Sequence, residues 1–140
     1  MNDNLNNFWN NKKVLITGHT GFKGSWLTIF LNYLGSEVHG LSREEKPGIY
    51  SMANVKKLLK SETKADISTY DTDILSTAIS KISPDIVFHL AAQSLVIKSY
   101  EDPKDTVYSN VIGTYNVLDS INKSENTKSL IIATTDKVYK

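Results

Sequence analysis

The chain has 140 residues, 40% of them hydrophobic and 22% charged, the size and composition of one globular domain that can bury its own core rather than of a disordered segment. Sixteen Lys and Arg against fifteen Asp and Glu leave a net charge of +1, too balanced for the basic footprint that nucleic-acid or membrane-surface binding needs. Zero cysteines and three scattered histidines exclude a disulfide framework and a cysteine-based zinc site, so no metal site is expected.

Residues 1–11 are rich in asparagine and read as a polar arm, with Phe8 and Trp9 tucked against the edge of a domain that occupies residues 12–140. Lys13 to Thr17 is a short apolar run ended by glycine, the pattern of a strand covered on both faces. Phe22, Trp26, Ile29, Phe30 and Tyr33 then recur at helical spacing. Leu27, Leu31 and Leu34 widen the stripe into that of a buried helix, closed by Gly35. Glu37 to Leu41 predicts a second strand, Arg43 to Gly48 a polar turn, Tyr50 to Leu59 a short helix and Lys64 to Ile67 a third strand. Asp71 to Ile82 predicts a helix with Asp71 as its cap, and Asp85 to Leu90, introduced by Pro84, a buried fourth strand. From Pro103 to Asn122 the spacing predicts a helix with two apolar faces, Val107, Val111, Tyr115 and Leu118 on one and Tyr108, Ile112 and Ile121 on the other. Leu130 to Thr135 is a fifth strand. Strands alternating with helices predict the α/β class and a doubly wound parallel sheet, with 3-2-1-4-5 as the simplest strand order.

The segment Thr17-Gly18-His19-Thr20-Gly21-Phe22-Lys23-Gly24 spaces its glycines as G-x-x-G-x-x-G between a buried strand and a helix. Such a bend lets backbone approach a pyrophosphate, which sits against the amides and positive dipole end of the helix. Gly18, Thr20, Gly21, Phe22, Lys23 and Gly24 are therefore candidate cofactor-binding residues, and a tight turn without a ligand is the alternative. At the end of the second strand, an acid would hold a free ribose 2′-hydroxyl and an arginine a 2′-phosphate. The residues there are Ser42, Arg43 and Glu44. Arg43 points to NADP, Glu44 can reach the hydroxyls of NAD, and a solvated charged turn is a third reading, so the choice stays open. Asp66 and Ile67, ending the third strand, suit an adenine amino group and the face of its ring. Leu90, Ala91, Ala92 and Gln93 end the fourth strand with small residues that let a cofactor lie close, while His89 reads as a core histidine. Thr134-Thr135-Asp136-Lys137-Val138-Tyr139 ends the fifth. All five segments fall at the carboxyl ends of strands, the edge where open α/β sheets bind ligands.

In order, T-G-H-T-G-F-K-G, H-L-A-A-Q-S-L-V with Ser99, Tyr100 and Pro103, N-V-I-G-T from Asn110 to Thr114, and T-T-D-K-V-Y resemble the extended short-chain dehydrogenase/reductase family. Within it they look most like the CDP-glucose 4,6-dehydratases, over residues 8–140. F-K-G, A-A-Q and the D-K pair favour that subgroup over dTDP-glucose dehydratases, whereas Val38-His39-Gly40-Leu41-Ser42-Arg43 is closer to NADP-using GDP-mannose dehydratases. The resemblance implies a Rossmann domain, Asn110 as a further cofactor-binding residue, NAD as cofactor with NADP as the alternative, and a nucleotide-sugar substrate. It implies hydride transfer from C4 to the nicotinamide, loss of water across C5 and C6, and hydride return to C6. Thr135 would hydrogen-bond the C4 oxygen, Asp136 would protonate the departing C6 hydroxyl, and Lys137 would assist proton removal at C5. Lys137 would act as a base with a lowered pKa or as a positive contact for the developing enolate. The family's Tyr-x-x-x-Lys pair does not follow the fifth strand here, so the chain is expected to bind dinucleotide without turnover. A stand-alone NAD(P)-binding or sensor module, and a dehydratase or epimerase of another nucleotide sugar, are the alternatives. Self-association as a homodimer through the outer face of the long helix and a cytoplasmic location, with no apolar leader or span, complete the expectations.

Overall fold

In the computed structural model, which describes residues 3–45, 47–69 and 72–135, strands and helices alternate along the chain. They run α1 (Asp3–Trp9), β1 (Lys13–Thr17), α2 (Phe22–Tyr33), β2 (Glu37–Ser42), α3 (Ile49–Met52), a 3-10 turn (Val55–Leu58) and β3 (Ser61–Lys64). There follow α4 (Asp73–Ile82), β4 (Ile86–His89), α5 (Val96–Glu101), α6 (Pro103–Val107), a π-helical turn (Tyr108–Ile112), α7 (Gly113–Asn122) and β5 (Ser129–Ile132). All strand pairs are parallel and the order is β3-β2-β1-β4-β5, the doubly wound arrangement expected from the alternation.

The central strand shows why the apolar run is continuous. Successive side chains leave a strand on opposite faces, and here both faces are covered. Val14 and Ile16 pack with Leu31 and Val38 on the α2 side, while Leu15 joins Leu41, Val87, Leu75, Ile79 and Val117 on the α4 and α7 side. Each such side chain taken fully from water contributes about 1.5–3 kcal/mol. The segment expected as a polar arm is helical from Asp3, because Trp9 gives it an anchor: its ring lies 6.4 Å from that of Phe88 and packs on the cluster of Val14, Ile16, Leu31 and Val38. Phe8 stays half exposed, edge-on to Trp9.

Three expectations are corrected. The aromatic part of the α2 stripe does not face the sheet: Phe22 is 71% and Tyr33 72% exposed, with Trp26 and Phe30 also outward, whereas Leu27, Leu31 and Leu34 do pack inward as expected. The buried face is Gly24, Ser25, Thr28 and Leu31; next to the bend only the small side chains of Gly24, Ser25 and Thr28 fit, and Leu31 enters the core a turn further on. Their hydroxyls are satisfied internally, Ser25 Oγ donating to the His19 carbonyl at 3.2 Å and Thr28 Oγ1 to that of Gly24 at 2.8 Å. Next, β3 lies three residues earlier than Lys64 to Ile67, in register His39 to Ser61 through Ser42 to Lys64. As an edge strand it carries polar residues, and Ala65 and Ile67 enter the core only after the chain has left the sheet. Finally, α4 starts at Asp73 with Thr72 at its N-cap position; Asp71 lies outside the described residues.

β2 reaches Ser42, whereas β4 and β5 stop at His89 and Ile132, so Leu90 to Gln93 and Ala133 to Thr135 run beyond the sheet as loops. The Tyr50 to Leu59 stretch divides into α3 and the 3-10 turn, and α5 has no counterpart in the sequence expectations. The helix expected from Pro103 to Asn122 is continuous, but its middle widens into the π turn. Ser109, Gly113, Asn116, Val117 and Ser120 face inward, and Val107, Val111, Tyr115 and Leu118 are exposed. Among the described residues no helix is long and apolar enough to cross a membrane.

Candidate functional site

At the carboxyl edge of the sheet, between the loops that follow β1, β2, β3, β4 and β5, lies a cleft of about 440 Å³. Its floor is the bend from β1 to α2. Gly18 has φ +73°, and a Cβ there would come within 2.7 Å of the Ala91 nitrogen; a Cβ on Gly24 would overlap the Gly18 carbonyl oxygen. The bend is thus a backbone-on-backbone junction that side chains would push apart. Gly18 N–H donates to the Leu41 carbonyl at 2.7 Å, holding the bend against β2. α2 follows Gly21 at its N-cap position, with no capping side chain and no acid in its first turn, so its leading amides and positive dipole end are available at the cleft.

His19 points away from the cleft, fully buried beneath the bend. Its Nε2 lies 3.0 Å from Glu62 Oε1 on β3, to which the Tyr50 hydroxyl also donates at 2.6 Å, and Lys56 Nζ is 3.3 Å from Glu62 Oε2. Burial works against the Glu62 charge, but the bonds from Tyr50, His19 and Lys56 outweigh it and hold the carboxyl below its ordinary range. Burial first, and then the same Glu62, raise the Tyr50 pKa. The imidazole sits over Gly40, where a Cβ would lie 2.6 Å from the ring.

Around the ends of β2 and β3, side chains cross between elements. Thr20 Oγ1 donates to the Glu44 carbonyl at 2.8 Å. Arg43 Nη1 donates to Asp105 Oδ1 at 3.0 Å and lies 3.7 Å from Asp66 Oδ2. That hydrogen bond is the main reason the Asp105 pKa is lowered and the Arg43 pKa raised. Asp66 Oδ1 accepts from the Ser68 amide at 2.9 Å and the Ser68 hydroxyl at 2.6 Å. Buried Asn116 donates to the carbonyls of Ile67 and Thr69 at 2.7 and 2.9 Å, fixing the loop that carries Ile67.

Beyond β4 the loop is held by Gln93 and Asn110. Gln93 N–H donates to Asn110 Oδ1 at 2.8 Å, and Asn110 Nδ2 donates back to the Gln93 carbonyl at 2.9 Å. Asn110 stands in the π turn, a widening that recurs at functional sites in helices. His89 is a core histidine: Nδ1 is 2.7 Å from Thr17 Oγ1, Nε2 is 3.0 Å from Thr114 Oγ1, and burial pulls its pKa down to about 4.

The candidates therefore converge. Gly18, Thr20, Gly21, Phe22, Lys23, Gly24, Ser42, Arg43, Glu44, Asp66, Ile67, Leu90, Ala91, Ala92 and Gln93 all line the cleft. Asn110 does not; it reaches the cleft only through Gln93. Asp66 and Ile67 sit in the loop after β3 rather than on the strand. Thr135 is exposed just past β5, next to Thr134 in the lining, and Asp136 and Lys137 lie outside the described residues. The sequence reading passed over Leu41, Ala65, Ser94, Ser109 and Ala133 as lining residues. Each of them adjoins a marked segment, Ser109 preceding Asn110 and Ala133 preceding Thr134, but only the fold turns these neighbours toward the cleft.

Residues 15–139 match the family model described as GDP-mannose 4,6 dehydratase. Over 135 residues the chain is 40% identical to the CDP-glucose 4,6-dehydratase of Salmonella typhimurium, covering 95% of this chain and 37% of that protein. Over 119 residues it is 36% identical to a GDP-mannose 4,6-dehydratase of Vibrio cholerae, covering 79% and 31%. Among solved structures, the UDP-glucose 4-epimerase of Thermus thermophilus in complex with NAD superposes with a TM-score of 0.71 at 30% identity, over 83% of this chain and 35% of the other. The chain spans roughly a third of the length of these relatives.

Proposed function

We propose, for a chain that belongs to the extended short-chain dehydrogenase/reductase family of nucleotide-sugar dehydratases and epimerases, a role as the dinucleotide-binding portion of a nucleotide-sugar 4,6-dehydratase. The observation that carries this reading is the bend between β1 and α2. Side chains at Gly18 and Gly24 would occupy the junction, and the uncapped start of α2 offers amides to an anion.

In this reading Gly18, Thr20, Gly21, Phe22, Lys23 and Gly24 hold the pyrophosphate. Ser42, Arg43 and Glu44 surround the adenosine ribose, and Asp66 and Ile67 receive the adenine. Leu90, Ala91, Ala92 and Gln93, the last braced by Asn110, line the path toward the nicotinamide. When bound, a nicotinamide dinucleotide supplies a hydride acceptor that can return the hydride within one turnover. NAD is the better match than NADP, because Arg43 already shares its charge with two carboxylates; the NAD-bound epimerase agrees with this.

For the sugar, CDP-glucose is supported by the 40% identical relative and by the F-K-G, A-A-Q and D-K signatures. Thr135 would hydrogen-bond the C4 oxygen, Asp136 would give a proton to the leaving C6 hydroxyl, and Lys137 would assist proton removal at C5. The outer face of the long helix, Val107, Val111, Tyr115 and Leu118, serves pairing of two copies in the cytoplasm.

Calorimetric titration with NAD tests the reading, with equimolar, saturable binding as the expected result, and product analysis of a full-length enzyme carrying these residues, on CDP-glucose and GDP-mannose, separates the substrates. A folded chain that binds neither NAD nor NADP overturns it.

A further inference from the structure

An arginine after β2 ordinarily marks a dinucleotide site built for a 2′-phosphate. Arg43 stands there, but its guanidinium is already engaged by Asp105 Oδ1 at 3.0 Å and faces Asp66 Oδ2 at 3.7 Å, with Glu44 next in the chain. Both partners make further bonds. The Asp105 amide donates to Asp102 Oδ1 at 3.0 Å, which caps α6, and Asp105 Oδ1 also accepts from Ser109 Oγ at 3.3 Å. Asp66 is pinned by Ser68. The other cation felt at Asp105, Lys98, acts on it more weakly than Arg43 does.

The charge balance of this corner is therefore negative, in spite of the arginine. A 2′-phosphate carries a charge of about −1.5 to −2 and would meet a cation already shared between two carboxylates. A free 2′-hydroxyl meets no such repulsion and can donate to a carboxylate. We propose that Asp105 is a positioning residue for cofactor choice: by holding Arg43 it closes the ribose corner to a 2′-phosphate and keeps the site selective for NAD. The inference rests on the dinucleotide-binding reading above. It assigns the choice to a residue of the long helix, 62 positions from Arg43 and outside the cleft lining.

The test is calorimetric titration of the 140-residue chain and its variants with NAD and with NADP, with circular dichroism as the check on folding. Wild type is expected to prefer NAD by about tenfold or more, and Asp105→Asn to shrink that ratio by about tenfold, mainly through tighter NADP binding. Asp105→Glu should restore the preference. In an Arg43→Ala background, adding Asp105→Asn should leave the ratio within about twofold, because the residue acts through Arg43. A merely structural role would weaken both ligands equally. An unchanged NAD/NADP ratio in folded Asp105→Asn, or a wild type that prefers NADP, overturns the inference while leaving dinucleotide binding intact. Wild type that binds neither ligand removes the dinucleotide reading itself, and the inference with it.

Discussion

On the β2 and β3 side of the cleft, the walls are tied to other elements of the same chain: Thr20 to the Glu44 carbonyl, His19 to Glu62, Arg43 to Asp105, and Asn116 to the loop carrying Ile67. On the β4 and β5 side, the Gln93 and Asn110 pair holds one loop, but the surfaces around it are bare. Leu95, Val96, Ile97 and Tyr100 of the α5 region are exposed, as are Val107, Val111, Tyr115 and Leu118 of the long helix and Ile131 of β5. The β2 and β3 flank is thus braced by contacts among these residues. The β4 and β5 flank presents exposed apolar side chains.

Substitutions can break that contrast, and the largest effect is expected at the bend. Gly24→Val drives side-chain atoms into the Gly18 carbonyl. NAD affinity should fall by about a hundredfold or more in titration, the equivalent of about 2.7 kcal/mol. Removing the clamp behind the bend comes next. Glu62→Ala strands His19 and Tyr50 without their shared acceptor, and should cost about 2–3 kcal/mol, read as a Tm lower by several degrees.

Protonation sharpens the comparison at β4. The His89 pKa is about 4 in the folded chain against about 6.5 unfolded. Because the folded value is depressed, the unfolded state binds the proton first as pH falls. The stability that neutral His89 contributes is present above about pH 6.5 and is lost between there and pH 4. By pH 5 the loss should be about 2 kcal/mol, seen as a falling denaturation midpoint. His39, whose pKa is also lowered by burial, adds to the same slope. His89→Asn should flatten that slope, and an unchanged one would show that the imidazole does not stay neutral.

The smallest effect on stability is expected on the bare flank. Val111→Lys on the outer face of the long helix should change unfolding free energy by less than about 0.5 kcal/mol. It should weaken any self-association measured by sedimentation, and unchanged association would remove that face as the pairing surface.

Strand–helix alternation, the sheet order and the place of the bend were legible from residues alone, because hydrophobic period and glycine spacing are local properties that follow from backbone geometry. So was His89 as a core residue, since it stands in an apolar run. Less legible was β3, where the apolar pair Ala65 and Ile67 drew the expected strand three residues too far; an edge strand has no need to be apolar. The outward turn of the aromatic stripe on α2 was hidden for a related reason. Periodicity says that a helix has faces, not which face a neighbour leaves room for.

What the linear order of residues determined by itself is the route of the backbone: a parallel α/β sheet whose marked segments all arrive at one edge. Tertiary structure alone decided the partners across that edge. Asp105 reaches Arg43 from 62 positions away, Glu62 reaches His19 from 43, and Asn110 braces Gln93 through a widened helical turn. Such pairings depend on distances between elements, which no local spacing encodes, and they set the charge of that corner of the cleft as much as Arg43 does.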